Sequence, residues 1–162
     1  MRFTGFVACV VFSLALASCS KPVAYSVVER SATDIAADLA AGKVTSEALV
    51  TAYEDRIKTE DGKLKSVLAL NPKALEAARE SDARRKAGKP LSPLDGVPIL
   101  IKDNIDLAGM PTTAGSLALK DNIPAKDAPM VHRLRDGGVI ILGKANLSEW
   151  ANYRSRWSIS GW

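Results

Sequence analysis

Beyond its first twenty residues this chain has no cysteine: its only two, Cys9 and Cys19, lie near the amino terminus. The body therefore holds no disulfide, no cysteine-based zinc site and no thiol nucleophile. His132 is the single histidine, which argues against a His-based metal site and a Ser-His-Asp triad and leaves His132 as a surface or half-buried helix residue. No metal and no cofactor is expected. Gly-x-Ser-x-Gly, HExxH and a phosphate loop are all absent. Long charge blocks are missing too. The net charge is +4, and Arg84, Arg85 and Lys86 form the only tight basic cluster. On a helix such a cluster is a solvated face, so nucleic acid is not expected as a partner. There is no repeat and no low-complexity segment. With 47% hydrophobic and 25% charged residues the composition is that of a globular protein.

What is present begins with a leader. Met1-Arg2 supplies a positive start, and Phe3 to Leu16 is apolar apart from Thr4 and Ser13. The run is shorter than the roughly 20 residues of a membrane span and has the form of a secretory h-region. It closes on Leu16-Ala17-Ser18-Cys19, which resembles a bacterial lipobox, with Cys19 as the lipidated first residue of the mature protein. Ordinary cleavage after Ala15-Leu16-Ala17 and an uncleaved anchor stay open as alternatives. The expected organisation is a signal peptide over residues 1–19, a tether over 20–30 and a body over 31–162. The expected location is exported: a periplasmic or membrane-anchored lipoprotein, or otherwise a secreted protein. A membrane is met only through the lipid anchor.

The body reads as alternating helices and strands. Ser31 to Asp34 has the pattern of a capping box, Ile35 and Leu39 share a face, and Gly42 ends the first helix. A second opens at Thr45 or Ser46, with Leu49, Tyr53 and Ile57 on one side, and stops near Gly62. Val67 to Leu70 is a short strand. Asn71-Pro72 starts a third helix that turns Leu75 and Ala78 inward, shows Arg79, Arg84 and Lys86 outward, and ends at Gly88. Val97 to Ile101 has no polar face and reads as a strand buried on both sides. A loop from Leu107 to Ser116, a helix from Asp127 to Asp136 closed by Gly137-Gly138, and a strand from Val139 to Leu142 follow. Strand, helix, strand implies a parallel crossover. Asn146 and Glu149 have the pattern of a helix start. Two parallel strands with flanking helices do not complete a covered sheet, so the body is expected to be the front of a larger α/β enzyme, incomplete at its carboxyl end.

One lysine stands out. Lys102 ends the apolar strand, and burial disfavours the charged form of a lysine, which would suit it to act as a general base. Strand alternation points Asp103 away from it. The plainer reading is a lysine that merely surfaces at a strand end.

The stretch LDGVPILIKDNIDLAGMPTTAGSLAL, followed by DAPMVHRLRDGGVIILGKANLSEWANYRS, resembles the amidase signature family, and within it the exported peptide amidases. The likeness is strong from Leu94 to Trp162 and looser over the helices from Ile35 to Gly88. It implies a mixed, largely parallel sheet flanked by helices. It also implies hydrolysis of linear carboxamides, including peptide C-terminal amides, by a Ser-cisSer-Lys triad with Lys102 as the base. In the family the relay serine, the nucleophile and the Gly/Ser-rich oxyanion segment lie downstream of the stretch matching residues 155–162. Ser158 and Ser160 are therefore loop residues, Ser116 has a turn role or lies near the cleft, and Trp150 and Tyr153 pack or reach the substrate channel. The expected partner is a small amide or peptide. The substrate-binding residues are not identified, and these 162 residues alone are expected to be inactive. A truncated gene product and a non-catalytic peptide-binding remnant are the alternatives.

Overall fold

A computed structural model describes residues 25–153 and 155–162. The expected signal peptide and Cys19 lie outside the described residues. Helix α1 (Ala32–Ala40) starts as its sequence requires: Ser31 accepts from the Asp34 N–H, and the Asp34 carboxylate accepts from the Ser31 backbone. Tyr25 and Val27 pack against the cluster formed by Ile35, Leu39, Val44, Leu49 and Val97. Helix α2 (Ser46–Leu64) is capped by Thr45 and runs past Gly62 to a left-handed Lys65. Its first amides are also held from another helix, because Asp82 accepts from the Ser46 and Glu47 N–H groups at 2.7 and 3.0 Å.

Strand β1 (Val67–Leu70) leads to α3 (Ala74–Lys86). Asn71 is not its N-cap. It forms a turn by accepting from the Lys73 N–H, and Lys73 takes the cap position. Arg84 does not face outward as its helical position suggested. Its guanidinium makes two bonds of 3.0 and 2.8 Å to the fully buried carboxylate of Asp95. Burial by itself would raise the Asp95 carboxyl, but Arg84, the Leu91 N–H and the Ser81 hydroxyl hold it below its ordinary value of 3.8. A depressed folded-state value contributes stability in full above the unfolded value. That contribution is lost as pH falls through the folded one. Arg84→Met is thus expected to remove part of the acid sensitivity of unfolding, read as a flatter dependence of the urea midpoint between pH 5 and pH 3; an unchanged slope would contradict it.

The sheet has the order β1-β3-β2, where β2 is Pro98–Lys102 and β3 is Ile140–Ala145. β2 and β3 are parallel, joined by α4 (Pro129–Asp136), while β1 pairs antiparallel with β3. The sheet is therefore mixed. One face carries Ile140 and Leu142 against Val50 of α2 and Ala74 and Ala78 of α3. The other carries Ile101 and Ile141 against Val131 of α4 and against Leu107 and Met110 of the loop that follows β2. The central strand β3 is the one buried on both sides. β2 lies at an edge, and Leu100 and Lys102 are exposed, which corrects the expectation that its lack of a polar face implied two covered faces.

β3 carries a bulge that decides the site. Ile99 pairs with Ile141 but Leu100 pairs with Gly143, so Leu142 is the extra residue. Beyond it the alternation of β3 changes phase, and Lys144, opposite Ile101, points to the α4 face rather than to the α2–α3 face. Gly143 suits this turn, because a Cβ there would drive into the Ala69 carbonyl of β1. Gly143→Ala is expected to cost about 1–3 kcal/mol through overpacking, seen as a lower urea midpoint; a neutral substitution would show that β1 moves freely.

Candidate active site at the carboxyl edge of the sheet

In open α/β sheets ligands gather at the carboxyl ends of parallel strands, where the loops leave. Here that edge is formed by Lys102 and Ala145, which pair in register, and by the chain that follows each. Lys102 is exposed on one face of β2, and no side-chain hydrogen bond or ion pair holds it among the described residues. The burial that would have suited it to base chemistry is not present. Its carbonyl accepts from the Ile105 N–H at 3.0 Å, which turns the chain sharply out of the strand.

Asp103 is fully buried on the opposite face, as alternation required. Its N–H donates to the Ala145 carbonyl at 3.0 Å, and its own carbonyl accepts from the Ala114 N–H at 2.9 Å. One carboxylate oxygen accepts from the N–H and hydroxyl of Thr113, and the other lies 3.2 Å from the Lys144 ammonium. Lys144, itself fully buried, also donates to the Ile105 carbonyl at 2.8 Å and to the Thr112 hydroxyl at 3.0 Å. Burial lowers the Lys144 amine below its ordinary value, and the Asp103 charge opposes that shift. A cleft of about 170 Å³ opens beside this network, lined by Leu68, Ala69, Asp103, Pro111, Thr113, Lys120, Lys144 and Trp162.

The two loops leaving the edge are tied together. The Ser116 hydroxyl donates to Glu149 at 2.5 Å, the Trp150 N–H to the Ala114 carbonyl at 2.8 Å, and the Gly161 N–H to the Gly115 carbonyl at 2.8 Å. Gly115, at φ +72°, lies against the Leu147 carbonyl where a side chain would not fit. Trp162 Nε1 donates to the Thr113 hydroxyl at 3.1 Å. Ser116 is thus a buried structural residue, and Ser160 donates to Asn146 within its loop. The expected helix from Asn146 does not form. Asn146 instead accepts from the Leu147 N–H and donates to the Lys65 carbonyl. The short 3₁₀ turn Glu149–Asn152 holds Trp150, Ala151 and Asn152 at positive φ, a costly run for side-chain-bearing residues. His132 is exposed and pairs with Asp136 at 3.1 Å. Among the described residues no group of three or more His, Cys, Asp or Glu is placed to hold a metal ion. No described helix is long and apolar enough to cross a membrane.

The Asp103–Lys144 network escaped the sequence reading. Its signal was a lysine inside the buried run VIILGKA, a place where a cation requires a partner.

Comparison with known proteins supplies the lineage. The amidase family model matches residues 48–156. A glutamyl-tRNA(Gln) amidotransferase chain of Renibacterium salmoninarum is 49% identical over 125 residues, which is 76% of this chain and 24% of the relative. Among solved structures, the peptide amidase of Stenotrophomonas maltophilia is 48% identical with a TM-score of 0.77, covering 83% of this chain and 28% of that one. An amidase family protein of Bacillus anthracis has a TM-score of 0.75 at 41% identity, covering 84% and 28%. A peptide amidase has also been solved with the competitive inhibitor chymostatin, at 48% identity and a TM-score of 0.77 to this chain. This chain spans about a quarter of the length of the relatives it matches. Its motifs, its mixed sheet and these matches agree: the chain belongs to the amidase signature family.

Proposed function

We propose that this chain carries the base of an amidase that hydrolyses linear carboxamides, peptide C-terminal amides among them, and that the base is Lys102. The supporting observation is its position. Lys102 ends a parallel strand inside the family motif, exposed on one face of the strand, while its acidic neighbour Asp103 is engaged on the other face. In this reading the Lys102 amine takes a proton from a relay serine, which takes one from the nucleophilic serine. The nucleophile attacks the amide carbon, the departing nitrogen receives the proton, and water releases the acyl group. Backbone N–H groups of a Gly/Ser-rich segment stabilise the oxyanion.

In the family both serines follow the segment matched by residues 155–162, and we assign neither role to a serine of this chain. Purified residues 20–162 are therefore expected to show no acyl transfer above background, since members of such a triad act as a unit. Release of ammonia from a simple peptide amide by that protein would contradict this.

We further propose export under the direction of residues 1–19 and anchoring through Cys19. The short apolar run and the Leu-Ala-Ser-Cys ending support that reading, and each buried methylene of the acyl chains adds about 0.8 kcal/mol to anchoring. Mass spectrometry of the amino-terminal peptide tests it. Diacylglyceryl mass on Cys19 is the expected result, and an unmodified chain beginning at Ser18 would overturn it.

A further inference from the structure

The strand end that carries Lys102 is held by groups the family reading gives no task. Immediately after Lys102 the backbone turns at Asp103, whose N–H donates to the Ala145 carbonyl, whose carbonyl accepts from the Ala114 N–H, and whose carboxylate is bonded to Thr113 and faced by Lys144. Lys144 reaches back to the Ile105 carbonyl, and the Ile105 N–H is bonded to the Lys102 carbonyl. One buried ammonium therefore braces both the residue after Lys102 and the turn that closes on Lys102. It is aimed there only because the β3 bulge redirects it.

We propose that the buried Asp103–Lys144 pair positions Lys102 and sets the field in which it works. This inference rests on the reading of Lys102 as the base. The pair does two things. It fixes the direction in which the Lys102 Cα–Cβ bond leaves the strand. It also balances, on the far face, the carboxylate next in sequence, which would otherwise favour the charged, non-basic form of Lys102. The remaining charges nearby are Asp106 in the same turn and, along the groove at Leu100 on the Lys102 face, Arg56, Glu60 and Asp61 of α2. Asp61 is already engaged by the Ser66 and Val67 N–H groups.

The test uses a hybrid in which residues 45–162 of this chain replace the matching segment of the Stenotrophomonas maltophilia peptide amidase, with peptide amide hydrolysis followed from pH 5 to 10. Three variants are compared with wild type: Lys144→Met, Asp103→Asn and the double variant, which restores charge balance. Both single variants are expected to lower kcat about 10- to 100-fold with KM little changed, the effect of a misplaced catalytic group. Lys144→Met, which leaves the Asp103 charge unbalanced, should also move the acid limb of the kcat/KM profile to higher pH by on the order of half a unit. Asp103→Asn should not move it upward, and the double variant should return it to the wild-type position. Loss of folded protein alone would reduce the amplitude without moving the limb. An unmoved limb in Lys144→Met, or an upward shift in both single variants, would overturn the positioning role. Lys102→Ala separates this from the underlying reading: wild-type turnover without Lys102, or no turnover by the wild type, removes the base and this inference with it.

Discussion

Asp103→Asn is expected to destabilise the folded chain by about 3–5 kcal/mol, a large share of the stability of a small domain. The magnitude follows from burial. Lys144 and Asp103 are both fully buried, and removing one partner leaves the other charge in the interior with its desolvation uncompensated. Lys144 would keep the Ile105 carbonyl and the Thr112 hydroxyl, which are neutral acceptors. The Thr113 N–H and hydroxyl would keep the side-chain oxygen of Asn as an acceptor. Lys144→Met should cost a similar amount, because it strands the carboxylate instead. The double variant should recover much of the loss, since a buried ion pair gains little over well-packed neutral groups of similar volume. A urea titration of protein expressed without residues 1–19 reads all three. Single-variant losses below about 1 kcal/mol would show that water reaches the pair and that the site is more open than its burial indicates.

Lys102→Ala has the opposite profile. Lys102 is exposed and makes no side-chain hydrogen bond among the described residues, so its removal should leave the unfolding midpoint almost unchanged. On the proposed reading of Lys102 as the base, its loss from a hybrid amidase carrying this segment should lower kcat by about 10²–10⁴-fold, the range for loss of a positioned general base. KM should change far less, because an interaction made in the transition state is lost rather than one made in substrate binding. A stability loss with modest kinetic change would place Lys102 in the scaffold.

The separation between these two lysines shows what the sequence carried. The proposal for Lys102 rests on a long and ordered motif, whereas periodicity alone left it no more than a strand-end lysine. Its exposure was not legible, since what covers β2 is decided by which strand becomes central. Val97 to Ile101 and Val139 to Leu142 look alike as apolar runs, yet only β3 is sandwiched between helix layers. Lys144 stayed hidden for a geometric reason. Simple alternation from Ile140 places it on the α2–α3 face, and only the bulge at Leu142 turns it to meet Asp103. Arg84 was misplaced because helical position shows the direction of a side chain but not the buried carboxylate waiting across a turn. Local signals did well where the physics is local. The Ser31 capping box, the Thr45 cap and the strand Val67–Leu70 all form where their residues indicate. At residues 146–152 a capping pattern was present, but ties to Ala114, Gly115 and Ser116 bind the segment in a non-helical course.

Residues 45–162 can be grafted in place of the matching segment of the Stenotrophomonas maltophilia peptide amidase, 48% identical to this chain, and the hybrid assayed on a peptide amide with and without Lys102→Ala. Hydrolysis by the hybrid, abolished by Lys102→Ala while the variant remains folded, is the predicted result. A folded hybrid whose hydrolysis survives the loss of Lys102 would contradict the assignment of this chain as the base-bearing part of an amidase.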